Sequence, residues 1–274
     1  MSNTYYGKYE GIVEDNQDPL NLLRVKVRVP AVLGDQVSDW AFPCVPYGGR
    51  KDVGDFNPPE EGTKVWVEFK GGNPAYPIWT GHFWSQPGGE SEVPDGVDDK
   101  HRKIKTSSGH LIEIVDEAGQ EMIKVTTQGG HEFLLSDETD TGDSETDSDN
   151  KRLRLRSALG HLFEIIDVSG SEEILFQTNA GHKVSMVDVS GSEKILIQDK
   201  DGNQILMDTV NTQMVLKMAE ILLGDGATEP AVLGNALMTL YNGHNHPGDS
   251  GGTTGVPNQQ MSSSQLSSTV KVKG

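Results

Sequence analysis

Gly181-His182-Lys183-Val184-Ser185-Met186-Val187-Asp188-Val189-Ser190-Gly191-Ser192-Glu193-Lys194-Ile195-Leu196-Ile197 is one copy of a pattern that recurs through the second half of the chain. Gly-His pairs stand at Gly109-His110, Gly130-His131, Gly160-His161 and Gly181-His182, and Gly202-Asn203 continues the series. The intervals are 21, 30, 21 and 21 residues. The long interval is one period plus nine residues and contains the acidic run Asp137–Asn150, which reads as a loop insertion. That run fails the spacing of a helix-flanked calcium loop, because Thr139 and Thr141 replace ligands and Ser148 occupies the twelfth position.

The repeat has a testable register. Take the positions 2, 4, 13 and 15 residues after each His or its Asn equivalent, with nine added to the last two in the second unit. They are Ile112, Ile114, Ile123 and Val125, then Phe133, Leu135, Leu153 and Leu155, then Phe163, Ile165, Ile174 and Phe176. The last two sets are Val184, Met186, Ile195 and Ile197, then Ile205, Met207, Leu216 and Met218. All are aliphatic, Met or Phe in a chain that is only 34% hydrophobic. A spacing of two marks strands with one apolar face, so each unit holds two strands. A 21-residue unit cannot make a core, and stacked units give a continuous apolar stripe. A single-chain solenoid normally closes with three sheets, and two strands with two turns leave little to close with. Three chains winding around one axis, each forming a wall of a triangular prism, solve the problem with a rod of roughly 50 Å.

N-terminal to the repeats, residues 86–101 have the Pro-, Gly- and acid-rich composition of a linker. Residues 1–85 read as a small β domain with strands expected at Tyr6–Val13, Leu22–Val29, Lys64–Phe69 and Tyr76–Trp84. In Leu23-Arg24-Val25-Lys26-Val27-Arg28-Val29 the valines share one face and the cations the other. Several short strands in that length make a small barrel, of which the OB-fold is one option. The division is therefore 1–85, 86–101, a repeat region over 102–240 and an apex over 241–274. The fold class is all-β.

The apex carries the one constellation with metal chemistry, His244-Asn245-His246. In extended backbone, residues two apart address the same side, so both imidazoles face one ion. Two ligands are too few for a closed site. Three chains supply six, an octahedral nitrogen shell that favours iron, or failing that nickel or cobalt, over tetrahedral zinc. A six-coordinate ion has no open position and staples chains together rather than activating water. A metallo-hydrolase of the H-x-H-x-D-H type is excluded because Gly248 stands where its Asp is required. The letters H-N-H also lack the ββα context of that nuclease motif, and no pair of carboxylates stands out for glycoside hydrolysis. His110, His131, His161 and His182 stand at turns, where Asn203 substitutes without disturbing the pattern, so they read as turn caps rather than a metal ladder.

Composition agrees with a structural role. The 274 residues carry 41 acidic and 23 basic side chains, a formal charge of −18, which repels nucleic acid and anionic headgroups. Glycine at 32 residues, 13 prolines and 6% aromatics point to short strands and turns, and to burial of scarce apolar surface against other copies. Cys44 is the only cysteine, so no intrachain disulfide forms. Met1–Tyr6 has the features of no signal peptide, so the expectation is synthesis in a host cytoplasm.

Tyr76-Pro77-Ile78-Trp79-Thr80-Gly81-His82-Phe83-Trp84, Lys103–His110, Ile221–Leu233 and His244–Pro257 together give the chain a resemblance to a known family. It resembles the central spike or baseplate assembly protein V of contractile-tailed phages, and the related spikes of type VI secretion systems. The resemblance implies an N-terminal OB-fold seated under a tail hub protein, a trimeric intertwined β-helix and an apex holding one iron ion through His244 and His246 of each chain. It implies a non-enzymatic spike at the baseplate tip of a virion, driven through the host cell envelope when the sheath contracts. Some relatives carry a lysozyme domain between barrel and prism, for which the short linker here has no room. The rival expectation is a trimeric glycan-binding tail fibre or adhesin, with ligand-lined aromatics on the barrel and no iron.

Overall fold

The computed structural model describes residues 3–139, 150–221, 234–248 and 250–266. Most of the acidic insertion, most of Ile221–Leu233 and all of Val270–Lys273 lie outside the described residues. The chain divides into two compact units, Met1–Ala158 with Ile166–Val168, and Leu159–Ile165 with Ser169–Gly274.

The first unit begins with a barrel. Its strands are β1 (Tyr9–Asp15), β2 (Lys26–Arg28), β3 (Phe42–Pro43), β4 (Lys64–Phe69) and β5 (Pro77–His82), with the one-turn helix α1 (Pro30–Leu33) after β2. The sheet order is β2-β1-β4-β5-β3, with β3 parallel to β5. A bridge between Val25 and Ala41, with N–H···O distances of 3.2 and 2.7 Å, joins the two ends of that order into a ring. The alternation read from Leu23–Val29 holds: Val25, Val27 and Val29 are fully buried with Val13, Val65, Val67 and Trp79. The cations between them face outward onto Asp18, Asp15 and Glu14. At two residues, β3 is too short for a period of two to reveal.

Asp18 organises the loop that enters β2. Its carboxylate accepts from the backbone N–H groups of Leu20 and Leu22 and from the Arg24 guanidinium at 2.6 Å. Both partners are nearly buried, with side-chain exposures of 4% and 11%. The Arg24 hydrogen bond, helped by those backbone donors and opposed by desolvation, holds the Asp18 carboxyl far below the usual carboxylate range.

The 86–101 segment is tied down. Glu92 accepts from Lys64 Nζ and from the Ser85 backbone at 2.7 Å, and Asp98 accepts from the N–H groups of Lys100 and His101. The unit continues with β6 (His101–Lys105), β7 (Leu111–Val115), β8 (Met122–Thr126), β9 (Glu132–Glu138) and β10 (Asn150–Arg156). The second unit contains β11 (Leu162–Ile166, its last residue grouped with the first unit), β12 (Glu173–Gln177), β13 (Lys183–Val187), β14 (Lys194–Gln198), β15 (Gln204–Asp208) and β16 (Gln213–Lys217). Among the described residues of the region expected over 102–240, the strands stop at Lys217, and Gly234–Gly243 form helix α2. In both units the strands lie in the sheet in chain order. The nine-residue insertion lengthens the β9–β10 hairpin: Asp137 pairs with Lys151 and Glu138 with Asn150 beyond the register shared with neighbouring hairpins.

Two kinds of turn alternate. In the first, Thr106 Oγ1 accepts from the His110 N–H at 3.0 Å, and Thr127 and Thr178 do the same for His131 and His182. Asp199 replaces Thr for Asn203. The glycine before each His or Asn has φ between 85° and 98°, the left-handed residue of a three-residue hairpin loop, which is why the Gly of the Gly-His signature recurs. The second kind is a six-residue connection in the earlier hairpins, such as 116–121 and 188–193.

The apolar columns pair across strands as the spacing predicts. Ile112 faces Val125, Ile123 faces Leu135, Leu153 faces Leu135, Val184 faces Ile197, and Ile195 faces Met207. One position is corrected. Ile205 pairs with Leu216 and Met207 with Met214, where the regular register would pair Ile205 with Met218 and Met207 with Leu216, and Met218 falls past the end of β16. The connection 209–212 is two residues shorter than its predecessors, so a count of fifteen from Asn203 overshoots. Asp208 closes that short turn by accepting from the N–H and side chain of Asn211.

None of the twenty stripe residues is buried within one chain, and thirteen are more than a third exposed. The buried strand positions lie on the opposite face. Ser185, between Leu175 and Leu196, is 1% exposed, and Leu134, Leu196 and Glu164 are also buried. A mid-strand side chain is hemmed in by its own strand and its cross-strand neighbours, which shields it without a second layer. In the first unit this face is charged, with Glu113 between Lys103 and Lys124.

Candidate functional site: the histidine pair beyond the last strand

Helix α2 forms from Asn235-Ala236-Leu237-Met238-Thr239-Leu240-Tyr241, a run with good helix formers set between glycines. Leu237, Leu240 and Tyr241, spaced i, i+3 and i+4, share one face and are 41%, 71% and 38% exposed. The helix stops at Gly243, and His244 and His246 follow outside it.

The structure brings these two rings together. Their centroids are 5.3 Å apart and nearly perpendicular. His244 Nδ1 lies 2.6 Å from the carbonyl oxygen of Tyr241. A carbonyl only accepts, so Nδ1 is the protonated nitrogen and Nε2 keeps its lone pair for a ligand. The His246 N–H donates to Thr254 Oγ1 at 2.8 Å, and the Thr254 N–H donates back to the His246 carbonyl at 2.7 Å.

An imidazole bound end-on at about 2.1 Å puts its centroid roughly 3.2 Å from the ion, so two rings on one ion stand about 4.5 to 6.5 Å apart. The observed 5.3 Å lies in that range, between the ~4.5 Å of a right-angled pair and the ~6.5 Å of an opposed pair. No cluster of three or more metal-ligating side chains occurs among the described residues. One chain thus offers a bidentate fragment rather than a finished site.

The chain past the pair turns back. Pro247 bridges Thr253, and the Gly248 N–H donates to the Gly252 carbonyl at 2.6 Å. Asn242 then makes a reciprocal pair with the Met261 backbone, Nδ2 to O at 2.9 Å and N to Oδ1 at 2.8 Å. A Cβ on Gly234 would meet Leu266 at 2.9 Å. The return segment therefore meets α2 first at its C-terminal end and then at its start, antiparallel to it, which puts the histidine pair at the point of reversal.

The remaining histidines do different work. The Nδ1 atoms of His110, His131, His161 and His182 accept from the backbone N–H of Gln128, Ala158, Asn179 and Lys200 at 3.3 to 3.4 Å. Each ring ties its own turn to the matching turn one repeat on, which extends the expected turn-capping role. The Thr four residues before His was legible as Thr-x-x-Gly-His, whereas the roles of Thr254 and Asn242 had no sequence signal. His82 packs against Trp79, and His101 faces Asp98 at 2.9 Å.

At the other end of the chain, the ring order with β3 parallel to β5 decides between the small barrels left open by periodicity. Residues 9–84 match the model of the type VI secretion system/phage-baseplate injector OB domain. Over that stretch the chain is similar to the injector OB domains of phage baseplates and type VI secretion systems. No curated protein matches the chain.

Proposed function

We propose that this chain is the membrane-piercing central spike of a contractile tail, a homotrimer whose injector OB domain seats under the tail hub protein. The observation that carries the reading is the uncovered stripe: apolar columns in cross-strand register, none buried within one chain. At ~25 cal/mol per Å² such a face is costly to leave wet, and three copies facing one axis remove it from water together. The closed arrangement leaves no lateral strand edges and resists bending.

The exposed Leu237, Leu240 and Tyr241 face of α2 continues the same logic toward the apex. There His244 and His246 of three chains would supply six nitrogens to one iron ion. Iron at that point contributes cohesion of the three ends. The protein's own part is to hold the rings at 5.3 Å with Nε2 free, and to transmit axial load rather than to catalyse. A charge of −18 on each copy discourages adhesion to the anionic host envelope during passage.

Mass measurement of the native protein with elemental analysis tests this. The expected result is a trimer with about one iron per three chains. A stable, folded single chain at working concentration would overturn the reading. Exposed aromatics on the barrel, Trp84 at 71% and Tyr47 at 65%, give the glycan-binding fibre its one support; saturable oligosaccharide binding that quenches tryptophan fluorescence would favour it.

A further inference from the structure

We infer that the chain returning past the histidine pair, together with the end of α2 that clasps it, is a positioning shell that presets both imidazoles for a metal ion before three chains meet, with Thr254 and Asn242 as its positioning residues. This rests on the proposed metal-stapled apex and adds to it a role for the return segment.

Three observations carry it. The Tyr241 carbonyl fixes the His244 tautomer at 2.6 Å, leaving Nε2 as the free donor atom. Thr254 holds the backbone of the other histidine through two reciprocal hydrogen bonds of 2.7 and 2.8 Å, one using its hydroxyl and one its backbone, and the His246 ring rests edge-on against His244. Asn242, one residue past Tyr241, clasps Met261 and so anchors the far end of the same excursion. The two histidines are thus held from opposite sides, one by the helix end and one by the returning chain. Gly248 is part of the fit, since a Cβ there would meet the Gly252 carbonyl oxygen at 3.0 Å. Two rings already 5.3 Å apart in one chain need only a small adjustment when the other copies deliver theirs. Outer groups that orient metal-binding histidines typically contribute on the order of 10–100-fold in affinity.

The test uses the full-length protein stripped of metal and titrated with cobalt(II) alone, whose visible absorption reports nitrogen ligation. Thr254→Val should weaken cobalt binding by on the order of 10–100-fold with the sedimentation coefficient unchanged, and Thr254→Ser, which keeps the hydroxyl, should restore it. Asn242→Ala should weaken it similarly, as a second variant should Thr254→Val misfold. Independently, nitrogen NMR of the metal-free wild type should find the His244 proton on Nδ1. Wild-type affinity in Thr254→Val and Asn242→Ala, or a His244 proton on Nε2, would overturn the inference. A wild type that binds no cobalt, nickel or iron would instead sink the metal-stapled apex. The tautomer measurement would then still decide whether the shell presets the rings.

Discussion

The imidazole of His110 accepts a hydrogen bond at Nδ1 from the backbone N–H of Gln128, 3.3 Å away and one repeat further along the chain. The same bond recurs from His131 to Ala158, His161 to Asn179 and His182 to Lys200. Asn203 stands where the next ring is due, and Asp199 bonds both its backbone and its side chain. Within each unit the turns are therefore hydrogen-bonded in series.

Each His→Ala change should raise amide exchange at one residue, 18 positions on, or 27 for His131. Hydrogen–deuterium exchange read by NMR or by mass of overlapping peptides checks this. All four changes together should cost about 2 kcal/mol, since each exposed bond is worth roughly 0.5 kcal/mol at the low end of the range. Unchanged exchange at Gln128 in His110→Ala would remove the inter-turn bond from the account.

Ile197 is 49% exposed in one chain and faces Val184 across the ladder. In a trimer, Ile197→Asp places three carboxylates against an apolar axis, so sedimentation should find dissociation or failure to assemble. Gln198→Asp, one residue on and directed to the other face beside Lys183, should leave the trimer intact. Equal behaviour of the two variants would mean that the stripe is not the seam.

Asp18 and Arg24 make the third expectation. A carboxyl held below its unfolded value binds fewer protons in the folded state, so its stabilising effect is complete above the ordinary Asp value of about 3.9 and shrinks as pH falls toward the folded value. Asp18→Asn should lower the barrel's melting temperature at pH 7, and the gap from wild type should narrow below about pH 4. All four tryptophans, Trp40, Trp66, Trp79 and Trp84, lie in the barrel, so their fluorescence reports it selectively. A gap constant from pH 7 to pH 2 would show that the charge of Asp18 is not what matters.

Nearly the whole ladder was legible before any coordinates, because strands and their turns are local: a period of two and a Gly-His turn both act within a few residues of chain. The same holds for Val25, Val27 and Val29. The two-residue strand β3 was not legible, since Phe42 and Pro43 earn their place by pairing with Ile78 and Trp79, far along the sequence. Met218 was misplaced because a fixed count assumes equal turns, and the turn at 209–212 is short. Helix α2 was not anticipated, and its exposed Leu237, Leu240 and Tyr241 became informative only once their common face was seen.

By itself the order of residues determined which faces are apolar, where the chain turns and that two histidines stand two apart. Only the tertiary structure decided that β2 meets β3 to close the ring, that the stripe stays uncovered within one chain, and that Thr254 and Asn242 draw the chain back around the histidine pair. Periodicity records what each residue prefers beside its neighbours. Which distant backbone groups find one another depends on a closure in space that no spacing along the chain encodes.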